Sequence, residues 1–362
     1  MSNQLKLDQH WMHEALNLAK TAQFRTRPNP AVGCVIVKDQ QVIGRGATAP
    51  VGGSHAEVFA LHEAGEAAHG ATAYVTLEPC AHYGRTPPCA EALVKAQIKR
   101  VVVACLDPNP LVAGKGIEIL TQAGIEVDSG VCESDAQQLN LGFLKAMADK
   151  MPYVRLKVAS SLDGRTAMAS GESKWITGDL ARQDVQYWRA ISGAVITGIQ
   201  TVLADDCQLN VRSLPNVALD SIVQPKRIVL DRQGQLPLNA KILAQPQDVM
   251  VMGPYRQALA DLGVTQLENQ SLAMLLHTLC QQYQIYDVLV EAGATLSSAF
   301  LQAGLVDEML HYIAPTLLGQ SARTMFQADF QTLAQQQRFR LKDVTQLGDD
   351  LRLSLLPQQE PL

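Results

Sequence analysis

The segment His55-Ala56-Glu57, followed by Pro79-Cys80 and then by Cys89, constrains this chain more than any other feature. It offers one imidazole nitrogen, two thiolates and one carboxylate, so a fold that uses them must bring three separate segments to a single point. Imidazole and thiolate together favour zinc over magnesium or calcium. A structural zinc takes four protein ligands, whereas a catalytic zinc takes three and leaves the fourth position to water. Here the count is three: His55, Cys80 and Cys89. Glu57 lies two positions from His55, and residues two apart on a helix do not share a face. It is therefore expected beside the metal's water, as a general acid/base, rather than on the metal. The alternative is a closed structural zinc with His82 or another histidine as fourth ligand, which leaves Glu57 without a task.

Zinc deaminases carry the pattern H-x-E…P-C-x-x-C and assign proton transfer to the glutamate. This chain has eight residues, Ala81 to Pro88, between the cysteines instead of two. The run Pro79-Cys80-Ala81-His82-Tyr83-Gly84-Arg85-Thr86-Pro87-Pro88-Cys89 is preceded by Asn29-Pro30-Ala31-Val32-Gly33 and followed by Asp107-Pro108-Asn109-Pro110. Together these segments resemble the bifunctional riboflavin-biosynthesis deaminase/reductase family, which the long intercysteine segment sets apart from other zinc deaminases. The likeness continues through Ser160-Ser161-Leu162-Asp163-Gly164-Arg165, Ser173 to Gly178, Gly198 to Asp206 with Leu209 and Arg212, and Glu291 to Leu296. Cys207 stands where the family has proline, and Ala292 where related reductase domains have glycine.

The resemblance implies an α/β protein: a cytidine-deaminase-like domain, then a dihydrofolate-reductase-like domain that uses NADPH. It implies a diamino-pyrimidinone substrate carrying a ribosylamino 5′-phosphate, deaminated first and then reduced at the sugar. Zinc lowers the pKa of bound water toward about 7, and Glu57 would pass the water's proton to the leaving ammonia. Asn29, His82, Arg85 and Thr86 are expected to hold substrate near the zinc, Arg85 suiting phosphate because its guanidinium binds in bidentate fashion. In the second half Lys157, Asp205 and Glu291 are expected, near strand ends, to stabilise or protonate the opening sugar. By resemblance, Ala159, Trp175, Thr201, Asp205 and Gly293 line NADPH, and Ser173, Arg189, Leu209, Arg212 and Glu291 face substrate. No G-x-G-x-x-G opens a helix in this half, so the NADPH expectation rests on the resemblance. Gly293 near a helix start offers backbone N–H groups to a pyrophosphate. A homo-oligomer is the expected assembly.

At 362 residues the chain is long enough for two domains. Its formal charge of −5 argues against a broad basic nucleic-acid surface, and no stretch approaches the roughly 18 apolar residues of a membrane span. Seven cysteines, an odd number with two already committed to metal, argue against a disulfide framework and for a reducing cytoplasm. No charged start followed by an apolar run marks a secretory leader. Two rival functions remain: a deaminase of RNA bases or free nucleosides, which leaves the second half unexplained, and a zinc-stabilised scaffold, which leaves Glu57 unexplained.

Periodicity places a helix through Trp11, Ala15, Leu18 and Ala22, and a hairpin of strands 31–37 and 42–46. Ser54 is the expected N-cap of a helix whose first turn holds His55 and Glu57. A strand over 73–77 leads to Pro79-Cys80, and a helix over 88–96 carries Cys89. Strand 100–106, helix 116–123, strand 125–127 and a closing helix over 133–150 follow. Pro152 disfavours helix in the residue before it, so the domain boundary is set near 150. Beyond it, strands are expected at 154–159, 194–198, 226–231, 248–252, 287–291 and 308–313, with helices near 179–190, 272–283 and 296–303.

Overall fold

The computed structural model describes residues 3–81, 83, 87–109 and 113–358. The chain divides into two compact units, Met1–Lys150 and Met151–Leu362. Among the described residues no helix is long and apolar enough to cross a membrane.

The first unit runs α1 (Asn3–Ala22), β1 (Gly33–Lys38), β2 (Gln41–Ala47), α2 (Ala56–Ala64), β3 (Thr72–Val75), α3 (Cys89–Lys95), β4 (Arg100–Val103), α4 (Lys115–Gln122), β5 (Glu126–Ser129), α5 (Glu133–Leu139) and α6 (Leu141–Asp149). Its sheet has the order β2-β1-β3-β4-β5, with β1 antiparallel to both neighbours and β3, β4 and β5 parallel. Successive side chains of a strand leave opposite faces, and the two faces take different helices. A Cβ on Gly33 would meet the Ala15 carbonyl oxygen of α1 at 1.9 Å, and one on Gly46, which pairs with Cys34, would meet that of Ala56 in α2 at 1.9 Å. Glycine thus lets both helices lie directly on the sheet, and Gly46 does so at the turn of α2 that carries Glu57.

Two expectations for this unit need correction. His55, not Ser54, occupies the N-cap of α2, with extended backbone and no side-chain cap. The closing helix is broken in two at Asn140, whose side chain accepts from the Ala31 amide at 2.8 Å and donates to the Ala31 carbonyl at 3.0 Å. Satisfying the buried backbone ahead of β1 takes precedence there over helix continuity.

The second unit runs β6 (Tyr153–Ser161), β7 (Arg165–Ala167), α7 (Asp179–Ile191), β8 (Ala194–Gly198), α8 (Ile199–Asp205), β9 (Lys226–Leu230), β10 (Val249–Met252), α9 (Gln257–Asp261), β11 (Thr265–Leu267), α10 (Leu272–Tyr283), β12 (Asp287–Glu291), α11 (Ala294–Gln302), β13 (Glu308–Ala314), β14 (Arg323–Thr324), β15 (Phe339–Leu347) and β16 (Asp350–Pro357). Nine strands form one sheet, β11-β10-β9-β8-β12-β6-β13-β16-β15, in which β6 and β8 through β13 are parallel and β16 and β15 are added antiparallel at one edge. The sheet is covered on both sides. Leu156, Ile196, Ile228, Val290 and α10 make one core, while Val195, Val229, Leu289, Tyr312 and α7 make the other. The edge hairpin β15–β16 was not anticipated, because its strands show only weak alternation between buried and exposed positions.

Candidate active sites

In the first unit the C-terminal end of β3 runs into Pro79-Cys80, and the starts of α2 and α3 bring His55 and Cys89 against it. One ligand atom from each of His55, Cys80 and Cys89 lies within 4.8 Å of the other two. His55 Nδ1 is 3.2 Å from Cys89 Sγ and 3.6 Å from Cys80 Sγ, and the Cys89 amide reaches Cys80 Sγ at 3.3 Å. With zinc–sulfur bonds of about 2.3 Å and zinc–nitrogen bonds of about 2.0–2.1 Å, tetrahedral ligands sit roughly 3.5 Å apart. The donor set and its spacing therefore fit zinc. Among the described residues no fourth histidine, cysteine or acidic side chain joins the three.

Hydrogen bonding from Cys89 lowers the Cys80 thiol, against the effect of burial. The same contact, with burial, raises Cys89. His55 is raised, chiefly by its bond to Cys80 and against the effect of burial. Glu57 is buried, with 3 % of its surface exposed, and within hydrogen-bonding reach of the Cys89 thiol; burial pushes its carboxyl up to about 7.

Two backbone arrangements hold this geometry that the motif alone did not show. The buried Glu78 carboxylate accepts from the amides of Asp107, Gly114 and Gly116 at 3.3, 3.1 and 3.0 Å. Gly116, at the start of α4, lets that helix abut Pro79: a Cβ there would meet the Pro79 carbonyl oxygen at 2.0 Å. Asn29 is half-buried in a turn closed by its own amide on the Thr26 carbonyl at 2.9 Å. His82, Arg85 and Thr86 lie outside the described residues.

In the second unit, Lys157 of β6 and Glu291 of β12 are register partners on adjacent parallel strands, so their side chains leave the same face. That face is covered by α7, whose Arg189 pairs with Glu291 through two bonds, Nε to Oε1 at 2.6 Å and Nη2 to Oε2 at 2.9 Å. Burial alone would raise the Glu291 carboxyl, but Arg189, with help from Lys157 and Arg212, brings it below the usual carboxylate range. Burial lowers Lys157, with Glu291 and Asp205 opposing and Arg189 assisting. The Lys157 ammonium also stands 5.9 Å from the Tyr312 ring. Lys157, Asp205, Glu291, Arg189 and Arg212 thus share one electrostatic cluster.

Other expectations for this unit need adjusting. Asp205 ends α8 rather than a strand, because Asp206 then turns left-handed and closes the helix. Leu209 has a left-handed backbone (φ 55°) and a side chain in the core, so only its backbone is free to face a ligand. Trp175, expected to line NADPH, is 70 % exposed, with the Arg182 guanidinium 4.4 Å over its ring. Its neighbour Lys174 adds a small lowering of the exposed Asp206 carboxyl, which is set mainly by Lys241. Gly293 is the N-cap of α11, exposed, and a Cβ there would come within 4.0 Å of Thr201 Oγ1 from α8. Ala159 is half-buried on β6, beside Tyr312. Cys207, a departure from the family pattern, feels the charges of Glu291 and Asp205. Burial pushes its thiol up to about 12.

The two halves match two family descriptions. Residues 5–105 match the cytidine and deoxycytidylate deaminase zinc-binding region, and residues 152–353 match the RibD C-terminal domain. The riboflavin biosynthesis protein RibD of Escherichia coli K12 is 47% identical over 364 residues, covering 96% of this chain and 99% of its own length. This chain belongs to the RibD family. The RibD of Aquifex aeolicus is 42% identical over 96% of this chain and 97% of its own. Among solved structures, a RibD of Acinetobacter baumannii shares 73% identity with a TM-score of 0.96, covering 98% of this chain and all of that one. A Thermotoga maritima protein described as a diaminohydroxyphosphoribosylaminopyrimidine deaminase/5-amino-6-(5-phosphoribosylamino)uracil reductase shares 33% with a TM-score of 0.89, over 98% of this chain and all of that one. As a RibD family member the chain is a bifunctional enzyme of riboflavin biosynthesis. It couples a cytidine-deaminase-like domain that takes zinc to a dihydrofolate-reductase-like RibD domain that takes NADPH.

Proposed function

We propose that residues 1–150 deaminate 2,5-diamino-6-(ribosylamino)-4(3H)-pyrimidinone 5′-phosphate, and that residues 151–362 then reduce the product's ribosyl chain to ribityl. The observation that carries this reading is the convergence of His55, Cys80 and Cys89 beside the buried carboxylate of Glu57.

His55, Cys80 and Cys89 hold Zn2+, which when bound acts as a Lewis acid and makes water nucleophilic at neutral pH. Glu57 accepts a proton from the attacking water and delivers it to the departing amino group, so water and the amine become a ring carbonyl and ammonia. Burial raises the Glu57 carboxyl, toward the range in which one group can both take up a proton and give it back. Asn29, His82, Arg85 and Thr86 hold the substrate, with Arg85 on its phosphate.

In the reductase, NADPH when bound would supply the hydride that the ribose C1′ takes up. The C1′–O4′ bond breaks, and Lys157 delivers the proton that O4′ needs to become a hydroxyl. Burial lowers Lys157 and so eases release of its proton, Glu291 and Asp205 oppose that lowering, and Arg189 fixes Glu291. Gly293 at the start of α11 leaves room for a cofactor phosphate, since among the described residues the one atom given near the place of its missing Cβ is Thr201 Oγ1 at 4.0 Å. Ala159, Trp175 and Asp205 complete the cofactor's surroundings, and Ser173, Leu209 and Arg212 those of the sugar phosphate. A cytoplasmic location is in keeping with seven free cysteines, and a homo-oligomer is the assembly we expect.

The test follows ammonia release and NADPH consumption in one tube, with wild type beside Glu57→Gln. Wild type should show both signals, and the variant neither until deaminated product is supplied. Ammonia without NADPH consumption would refute the reductase assignment, and an active Glu57→Gln would refute the role of Glu57.

A further inference from the structure

A second group of metal-ligating side chains stands apart from the deaminase centre, where α1 meets the start of α5. A ring nitrogen of His13, the Cys132 sulfur and an Asp135 carboxylate oxygen lie within 4.8 Å of one another. Cys132 and Asp135 come from one turn, because Cys132 is in the left-handed conformation that starts α5. His13 comes from α1, far away in sequence.

The hydrogen bonding of His13 determines which nitrogen is available. Nδ1 is 2.6 Å from the Gln9 carbonyl oxygen, a contact that only a protonated Nδ1 makes favourable. Nε2 is then left to face Asp135 Oδ2, 3.5 Å away. A neutral ring there sets a lone pair opposite a carboxylate, and either a proton on Nε2 or a metal cation satisfies both. A ring N–H given to a backbone carbonyl is also the usual support of a metal-bound histidine, since it fixes the ring and raises the basicity of the other nitrogen. Cys132 Sγ sits 3.8 Å from Nδ1, the nitrogen that also meets Gln9, and one donor atom from each of the three residues lies within 4.8 Å of the other two. One nitrogen, one sulfur and one oxygen are the donors zinc accepts, whereas magnesium and calcium would reject the sulfur.

We propose that His13, Cys132 and Asp135 form a second, non-catalytic divalent-metal site that takes Zn2+, with water completing the coordination. The bound ion fastens α1 to α5. His13 and Asp135 side chains are 58% and 61% exposed, so the site loads from solvent and exchanges more freely than the buried deaminase centre.

The experiment equilibrates full-length protein with Zn2+ buffered at low-micromolar free concentration and counts ions per chain in wild type, His13→Ala and Cys132→Ser. Wild type should hold one ion more than either variant. Zinc at that concentration should raise its thermal midpoint by an increment that Cys132→Ser loses, since a ligand bound only to the folded chain stabilises it. Deamination rates should agree within about twofold, because these side chains touch no reacting group; that agreement also reports intact folding. Equal counts in wild type and both variants overturn the proposal, whatever the total. Because the readout is a difference, failure here is distinguishable from failure of the deaminase centre to bind zinc.

Discussion

The two sites of this enzyme are built on different plans. The deaminase centre draws its metal donors from two helix starts and one strand end, all within one short stretch of chain, and their identities announce the chemistry. The reductase cluster takes Lys157 from β6, Arg189 from α7, Asp205 from α8 and Glu291 from β12, residues of ordinary type that acquire meaning only when the sheet sets them in register. A metal site is legible because few jobs need imidazole, two thiolates and a carboxylate together. A cluster of lysine, arginine and carboxylates is legible only after the burial that shifts their charges is known.

The largest effect that would sharpen this contrast is expected at Glu57. Glu57→Gln should lower deamination by about 10²–10⁴-fold while zinc content and NADPH turnover on deaminated substrate stay at wild-type levels. A comparable loss of zinc would make Glu57 a structural residue and erase the distinction between holding the metal and moving the proton.

In the reductase the analogous substitution should damage the fold as well as the chemistry. Arg189→Met removes one partner of a pair in which both side chains are 9% exposed, leaving Glu291 buried and unpaired, which costs about 3–5 kcal/mol. Denaturant unfolding would read that loss, and a variant as stable as wild type would show that Lys157 and Arg212 alone satisfy Glu291.

A smaller effect probes the backbone support of the metal site. Gly116→Ala drives a methyl against the Pro79 carbonyl oxygen, and overpacking of this kind costs about 1–3 kcal/mol. Zinc affinity should fall with stability, because Cys80 follows Pro79 directly; unchanged affinity in a chelator competition would mean that the strand end yields without moving the thiolate.

The smallest effect is on pH dependence. Glu291 is held below the usual value of 4.5 in the folded chain, so the folded state binds fewer protons than the unfolded state near that pH. Its contribution is complete above about 4.5 and is lost as pH falls through the folded value. Denaturation midpoints should decline below that point, and less steeply in Glu291→Gln than in wild type. Equal slopes would move the acid sensitivity elsewhere.

Much of the fold was legible because periodicity survives burial: α1, the β1–β2 hairpin, α7, β8, α10 and β12 stand where their apolar spacing puts them. The misses share a cause. Asn140 interrupts the closing helix to bond Ala31, and Asp206 ends α8 by turning left-handed; both respond to partners far away or to a local turn that no hydrophobic period records. The β15–β16 hairpin pairs at a sheet edge, where exposed positions dilute the alternation.

By itself the sequence determined that three metal donors and one carboxylate must meet, since no other arrangement of His55, Glu57, Cys80 and Cys89 gives all four a task. The tertiary structure alone decided how they meet. Gly46 and Gly116 admit backbone where a side chain would collide, Glu78 ties the loop behind Cys80, and the register of β6 with β12 sets Lys157 beside Glu291. Donor identity is written in side-chain chemistry, which each residue carries alone. Distance, burial and charge coupling belong to pairs of residues, and those pairs exist only once the chain has folded.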